Sequence, residues 1–192
     1  MCRLIFISGK IDDSFKVEIL KKFQRLAEDG EIPQGTEGGH KDGWGIVAYK
    51  KGQMILSAKK DTSAFVDPLF PKTIKKLGEK KTDAIIGHLR KASVGARSLK
   101  NTHPFIHGAY SFCQNGKIVN SEKISIKPKF RKLISGETDS ERFFIYILQL
   151  LDEYEGSGAE TIRGAIISAV NYVRNNFDFT ALNMIFSDGN YI

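Results

Sequence analysis

Residues 44–60, WGIVAYKKGQMILSAKK, constrain the fold more than any other stretch of the chain. Two runs of strand-forming residues flank Lys51-Gly52, and that pattern signals a β-hairpin. A hairpin commits two neighbouring strands to antiparallel pairing. AYSFCQNGKIV (109–119) reads as a second hairpin, with Asn115-Gly116 as a type I′ turn signal. CRLIFIS (2–8) reads as a strand too apolar to be half exposed, and AIIGHLRK (84–91) as another. Period-two geometry puts Ala84, Ile86, His88 and Arg90 on one strand face.

The spacing of Phe15, Ile19, Leu20, Phe23, Leu26 and Ala27 predicts a helix over 14–28, ended by Gly30. Further helices are expected over 67–79, after Pro68, and over 139–154 and 158–176. ALNMIFSDGNYI (181–192) closes the chain as a strand and a turn. Three residues follow Asp188-Gly189. Either related chains run on past this point, or another copy of the chain covers that edge in a homo-oligomer.

This order lacks regular βα alternation, a GxGxxG or a phosphate loop. It predicts an α+β layered fold of antiparallel sheets covered by helices. A length of 192 residues with 41% hydrophobic content suits a single domain over 1–192. No apolar run approaches the roughly 18 residues of a membrane span. Lys10, Asp12 and Asp13 interrupt the N-terminal run too early for a secretory signal, so the chain is expected to be cytoplasmic. Two cysteines are too few for a disulfide scaffold, and the four histidines lack metal-ligand spacing, so no metal is expected. The net charge of +7 comes from scattered lysines and short pairs such as Lys50-Lys51. They form no basic stripe interleaved with aromatics, so no nucleic-acid or membrane partner is expected.

Cys2 can be read as a small buried hydrophobe at a strand start, or as a nucleophile. Methionine aminopeptidases remove Met1 when the next residue is small. Cys2 would then carry the α-amine beside its own thiol. An α-amine with a pKa of about 8 is a far better base for a thiol of about 8.5 than a lysine amine near 10.4. Such a pair exchanges a proton directly or through one water. Asn115-Gly116 can supply an oxyanion hole from a backbone N–H and a side-chain amide. Asp139 lies in Thr138-Asp139-Ser140-Glu141, which fits a capping box and needs no chemistry to explain it.

Five stretches then fall into one order: MCR (1–3), KDGWGI (41–46), GHLRKAS (87–93), NTHPF (101–105) with FCQNGKI (112–118), and GETDSE (136–141). Together they resemble the class II glutamine amidotransferases, whose glutaminase domain is an N-terminal-nucleophile hydrolase. The likeness is strongest to small stand-alone members, including predicted bacterial glutamine amidotransferases and ergothioneine-pathway γ-glutamyl amide hydrolases. The resemblance implies a four-layer αββα sandwich of two antiparallel sheets flanked by helices. It implies catalysis by Cys2, with Asn115 and Gly116 as the oxyanion hole and no cofactor. Arg90 would clamp the substrate α-carboxylate, Asp139 would take its α-ammonium, and Ser93 and His103 would line the pocket. The family usually has His-Asn-Gly where this chain has Gln114-Asn115-Gly116. Three functions stay open: a glutaminase passing ammonia to a separate acceptor enzyme, a hydrolase of another γ-glutamyl amide, or a non-catalytic binding protein.

Overall fold

The computed structural model describes residues 2–31, 38–154, 156 and 158–191. In chain order its elements are β1 (Arg3–Ser8), α1 (Asp13–Asp29), β2 (Trp44–Lys50), β3 (Gln53–Lys60), α2 (Leu69–Gly78), β4 (Ala84–Leu89), β5 (Phe105–His107), β6 (Tyr110–Asn115), α3 (Pro128–Arg131), α4 (Asp139–Glu153), α5 (Ala159–Asn176) and β7 (Asn183–Ser187). EIPQGTEGGHKDG (31–43) reads from its composition as a Gly-rich loop, and its residues 32 to 37 lie outside the described residues.

The hairpin of 44–60 forms as expected. Lys51 and Gly52 both take positive φ, 49° and 76°, as a type I′ turn requires. It belongs to a four-stranded antiparallel sheet ordered β1-β4-β2-β3. A second antiparallel sheet runs β5-β6-β7.

The hairpin expected at 109–119 does not form. β6 ends at Asn115 and pairs with β5 and β7 instead of turning back on itself. Beyond Gly116 the chain runs on to Ile118, which bridges to Phe179. Gly116 has φ of 142°, outside the type I′ range, and a Cβ there would lie 1.9 Å from the Ala181 carbonyl oxygen. A distant segment, not the local turn signal, sets this backbone.

Two central strands, β2 and β4, are buried on both faces, so the layers can be read from their side chains. Ile46, Ala48, Ile85 and Leu89 meet Leu20, Phe23 and Ala27 of α1 and Phe70, Ile74 and Leu77 of α2. Val47, Tyr49, Ala84 and Ile86 face the other way, toward Cys113 of the second sheet. Phe112 and Phe186 of that sheet pack on Phe143, Phe144 and Ile147 of α4 and on Ala169 and Val173 of α5. The order is helices, sheet, sheet, helices: the αββα sandwich. Between the sheets, the Tyr49 hydroxyl donates to Ser111 Oγ at 2.7 Å, so these two buried hydroxyls pair with each other.

β1 is less buried than its composition suggests. It is an edge strand bonded only to β4, and Phe6 is 44% exposed. Ile5 and Ile7 pack toward the helices and Leu4 toward the second sheet. At α4, Thr138 Oγ1 accepts the Glu141 N–H at 3.1 Å, which is half of a capping box. Glu141 does not complete it. Its carboxylate turns to the preceding loop, accepting from Ser135 N, Ser135 Oγ and Gly136 N at 2.7–3.0 Å. After β7, Asp188 Oδ1 accepts from the N–H groups of Asn190 and Tyr191, closing the expected turn. Among the described residues no helix is long and apolar enough to cross a membrane.

Candidate active site

The β1–β4 ladder pairs Arg3 with Leu89. Cys2, one residue before β1, therefore lies beside Arg90 and Lys91, which leave the end of β4. The Lys91 N–H donates to Cys2 Sγ at 3.4 Å, and the thiol donates to the Lys91 carbonyl at 3.5 Å. Asn115, at the end of β6, clasps the Cys2 backbone from the other side. Its Nδ2 donates to Cys2 O at 3.0 Å, and its Oδ1 accepts from Cys2 N at 3.1 Å. An amide nitrogen carries two hydrogens, so this bond occupies one donor of Asn115.

Asp139 starts α4, 4% exposed, with Oδ2 accepting the Ile118 N–H at 2.7 Å. Strand-end loops and a helix start thus converge, and one cleft is lined by Cys2, Arg90, Ser93, His103, Gly116 and Asp139. Every residue singled out from the sequence lies in that cleft except Asn115, which is turned onto Cys2.

Arg90, which the resemblance casts as the α-carboxylate clamp, is enclosed just beyond the end of β4. It is 3% exposed, and its guanidinium donates to the carbonyls of Ala96 (3.3 Å), Val94 (3.0 Å) and Gly95 (3.1 Å). These carbonyls hold the fork in one orientation while leaving part of its five-donor set. Ser93 is exposed at the cleft mouth. His103 is buried against His88, with ring centroids 4.2 Å apart. Neither His103 nor Gln114 has a side-chain hydrogen-bond partner among the described residues. Trp44 does not reach the cleft. It is fully buried under the first sheet, edge-on to Phe70, with Nε1 on Asp67 at 2.8 Å.

Three further contributors lie in the stretches MCR, KDGWGI and GHLRKAS, where residue type alone assigned them no part. Lys91 offers its peptide group to the thiol. Asp42 takes the Ala92 N–H on Oδ2 at 2.8 Å and bonds the Arg90 carbonyl through its own N–H at 3.0 Å. Arg3 Nη1 adds a bond to the Cys2 carbonyl at 3.3 Å. Among the described residues no group of three or more His, Cys, Asp or Glu side chains could hold a metal ion.

Burial governs the titration of the site. It pushes the Cys2 thiol above its ordinary value, with the Lys91 N–H and the Arg90 charge opposing. It also raises Asp139, opposed by the Ile118 N–H. Burial pushes His88 down from 6.5 to about 3, the Gln114 carbonyl working the other way. His103 is held well below 6.5 by burial and by its neighbour His88. Both imidazoles are neutral in the folded chain at pH 7.

A histidine whose folded pKa lies below its unfolded one adds stability above the unfolded value, and that stability is lost as pH falls. Thermal melts in a pH series should show Tm level between about pH 7 and 8 and falling below about 6.5. His103→Gln should flatten that slope, even if it lowers Tm at pH 8.

The profile of the family "Glutamine amidotransferases class-II" matches residues 1–192. The chain belongs to the class II glutamine amidotransferases. It is 30% identical to the "Putative glutamine amidotransferase YafJ" of Escherichia coli K12, over 100% of this chain and 71% of that protein. It is 28% identical to the protein MJ1515 of Methanocaldococcus jannaschii, over 100% of this chain and 50% of that one. Among solved structures, the "predicted glutamine amidotransferase" of Pseudomonas aeruginosa superposes with a TM-score of 0.55 at 29% identity. That match covers 82% of this chain and 61% of the other. The phosphoribosylpyrophosphate amidotransferase of Bacillus subtilis shares the fold at 14% identity and a TM-score of 0.60. There the match covers 97% of this amidotransferase and 35% of that chain. The chain thus spans half of the archaeal relative and less than two thirds of either solved structure.

Proposed function

We propose that this amidotransferase hydrolyses the γ-amide of glutamine through Cys2 as an N-terminal nucleophile. The observation that carries the reading is the double clasp of Asn115 on Cys2 N and O, set in one cleft with Arg90 and Asp139. Once Met1 is removed, the nitrogen beside Asn115 Oδ1 is a primary amine. As a base it takes the thiol proton, directly or through one water. The thiolate attacks the amide carbon. The oxyanion is met by the Gly116 N–H and the second Nδ2 hydrogen of Asn115. Collapse expels ammonia, which takes its proton from the α-ammonium, and leaves a γ-glutamyl thioester. Water, deprotonated by the α-amine, releases glutamate and restores the thiol.

Arg90 reads the substrate α-carboxylate with the donors its carbonyl cage leaves over, and Asp139 reads the α-ammonium. Ser93 and His103 complete the walls. Ammonia then passes to a separate acceptor enzyme. The reaction needs Cys2 reduced, as it is in the cytosol.

A second reading, hydrolysis of another γ-glutamyl amide without ammonia transfer, rests on Gln114. Its carboxamide is 1% exposed and unpartnered among the described residues at the wall of the cleft, where a polar leaving group could meet it.

Intact-mass spectrometry tests the reaction. The native chain should lack Met1 and gain one adduct at Cys2 with 6-diazo-5-oxo-L-norleucine. A native chain that retains Met1 would sink the mechanism, because the α-amine would sit on the wrong residue. Hydrolysis rates across a panel of N-substituted γ-glutamyl amides separate glutamine from the second reading.

A further inference from the structure

Asn101 opens the NTHPF stretch, and the chemistry above gives it no part. Its side chain is fully buried. Nδ2 donates to the Ala96 carbonyl at 2.9 Å, and Oδ1 accepts the Glu137 N–H at 2.8 Å. Those two bonds join the loops that position the substrate-reading groups. Ala96 is one of the carbonyls that hold the Arg90 guanidinium, and Glu137 lies two residues before Asp139.

A second tie runs outside the first. The Glu137 carboxylate accepts from the Ala96 N–H at 3.2 Å and from Lys100 Nζ at 2.9 Å. The packing leaves no slack: a Cβ on Gly136 would lie 2.3 Å from Asn101 Oδ1. Arg90 and Asp139 come from separate elements, and among the described residues no bond joins them directly.

We infer that Asn101 is the positioning residue that fixes the spacing of Arg90 and Asp139, and so makes the cleft selective for a free α-amino acid. The inference rests on the roles proposed above for those two residues. Asn101 touches no reacting atom. It acts through the Ala96 carbonyl on one side and the Glu137 N–H on the other. Loosening it displaces the two groups relative to each other and leaves the Cys2–Asn115–Lys91 contacts in place.

The test compares two reagents for Cys2 on the Met1-processed chain. 6-Diazo-5-oxo-L-norleucine carries an α-carboxylate and an α-ammonium, and iodoacetamide carries neither. Asn101→Ala should slow labelling by the amino-acid reagent about 10- to 100-fold, the scale of a displacement near 1 Å. Labelling by iodoacetamide should stay within about twofold of wild type, since that reagent offers nothing for Arg90 or Asp139 to read and the Cys2 contacts do not involve Asn101. Glu137→Gln, on the exposed side of the tie, should give a smaller loss in the same direction, and it carries the test if Asn101→Ala does not fold. An equal loss with both reagents would reduce Asn101 to a structural role, and no loss with either would also overturn the inference. Failure of the wild-type chain to label with the amino-acid reagent would instead overturn the reading of Arg90 and Asp139 themselves.

Discussion

Cys2→Ala should abolish amide hydrolysis and leave the fold intact. Removing a covalent nucleophile that acts as a unit with its base costs about a hundred-thousand-fold in kcat or more. The structural loss is small. Cys2 is half-buried just before an edge strand, and among the described residues its thiol makes two long contacts, both with the Lys91 peptide group. The bonds from Asn115 go to backbone atoms that alanine also has. Stability should therefore change by about 1 kcal/mol or less, as for a small truncation outside the core. Alanine at position 2 also permits Met1 removal, so processing is not confounded. Glutamate release measured beside a thermal melt checks both halves. Near-normal hydrolysis by the variant would remove Cys2 from the mechanism.

Asn115→Ala should be the next most damaging change to the chemistry. On the mechanism proposed above it removes one oxyanion donor, a loss of roughly 3–4 kcal/mol, or about 10²- to 10³-fold in kcat. It also releases both ends of the Cys2 backbone, so the thiol and amine lose their common anchor. Arg90 and Asp139 stay bonded to other partners, so KM should move by only a small factor. Steady-state kinetics on glutamine separate the two constants. A large rise in KM with kcat preserved would assign Asn115 to substrate binding and take it out of the oxyanion hole.

The two turn signals show how far the sequence could be read. Lys51-Gly52 and Asn115-Gly116 look alike, and only the first makes a hairpin. β2 and β3 are partners in one sheet with nothing inserted between them. β6 is claimed by β7, about seventy residues further along, and Gly116 is pressed against Ala181. Local preference yields to tertiary contact there, and the Asn side chain is spent on the Cys2 backbone.

The core of the sandwich was legible because β2 and β4 are nearly continuous apolar runs and α1 carries clear helical periodicity. The apolar run of β1 was misjudged because edge position is a property of the sheet, not of the strand. Cys2, Arg90 and Asp139 could be singled out as candidates because their chemistry is distinctive, and they do line one cleft. The carbonyl cage around Arg90, the thiol's contact with the Lys91 peptide group and the Asn101 tie could not. Each runs through backbone atoms, and backbone atoms leave no residue-type signature.

The edge position of β1 has a consequence for heat. Local opening of an element bonded on one side takes less free energy than unfolding the whole chain. Cys2, the proposed nucleophile, rides on the outer end of such a strand, held by one ladder to β4 and by the clasp of Asn115. Warming can therefore draw Cys2 away from its partners while both hydrophobic cores remain closed. Catalytic failure then precedes denaturation and reverses on cooling, because the first event is the fraying of one strand end.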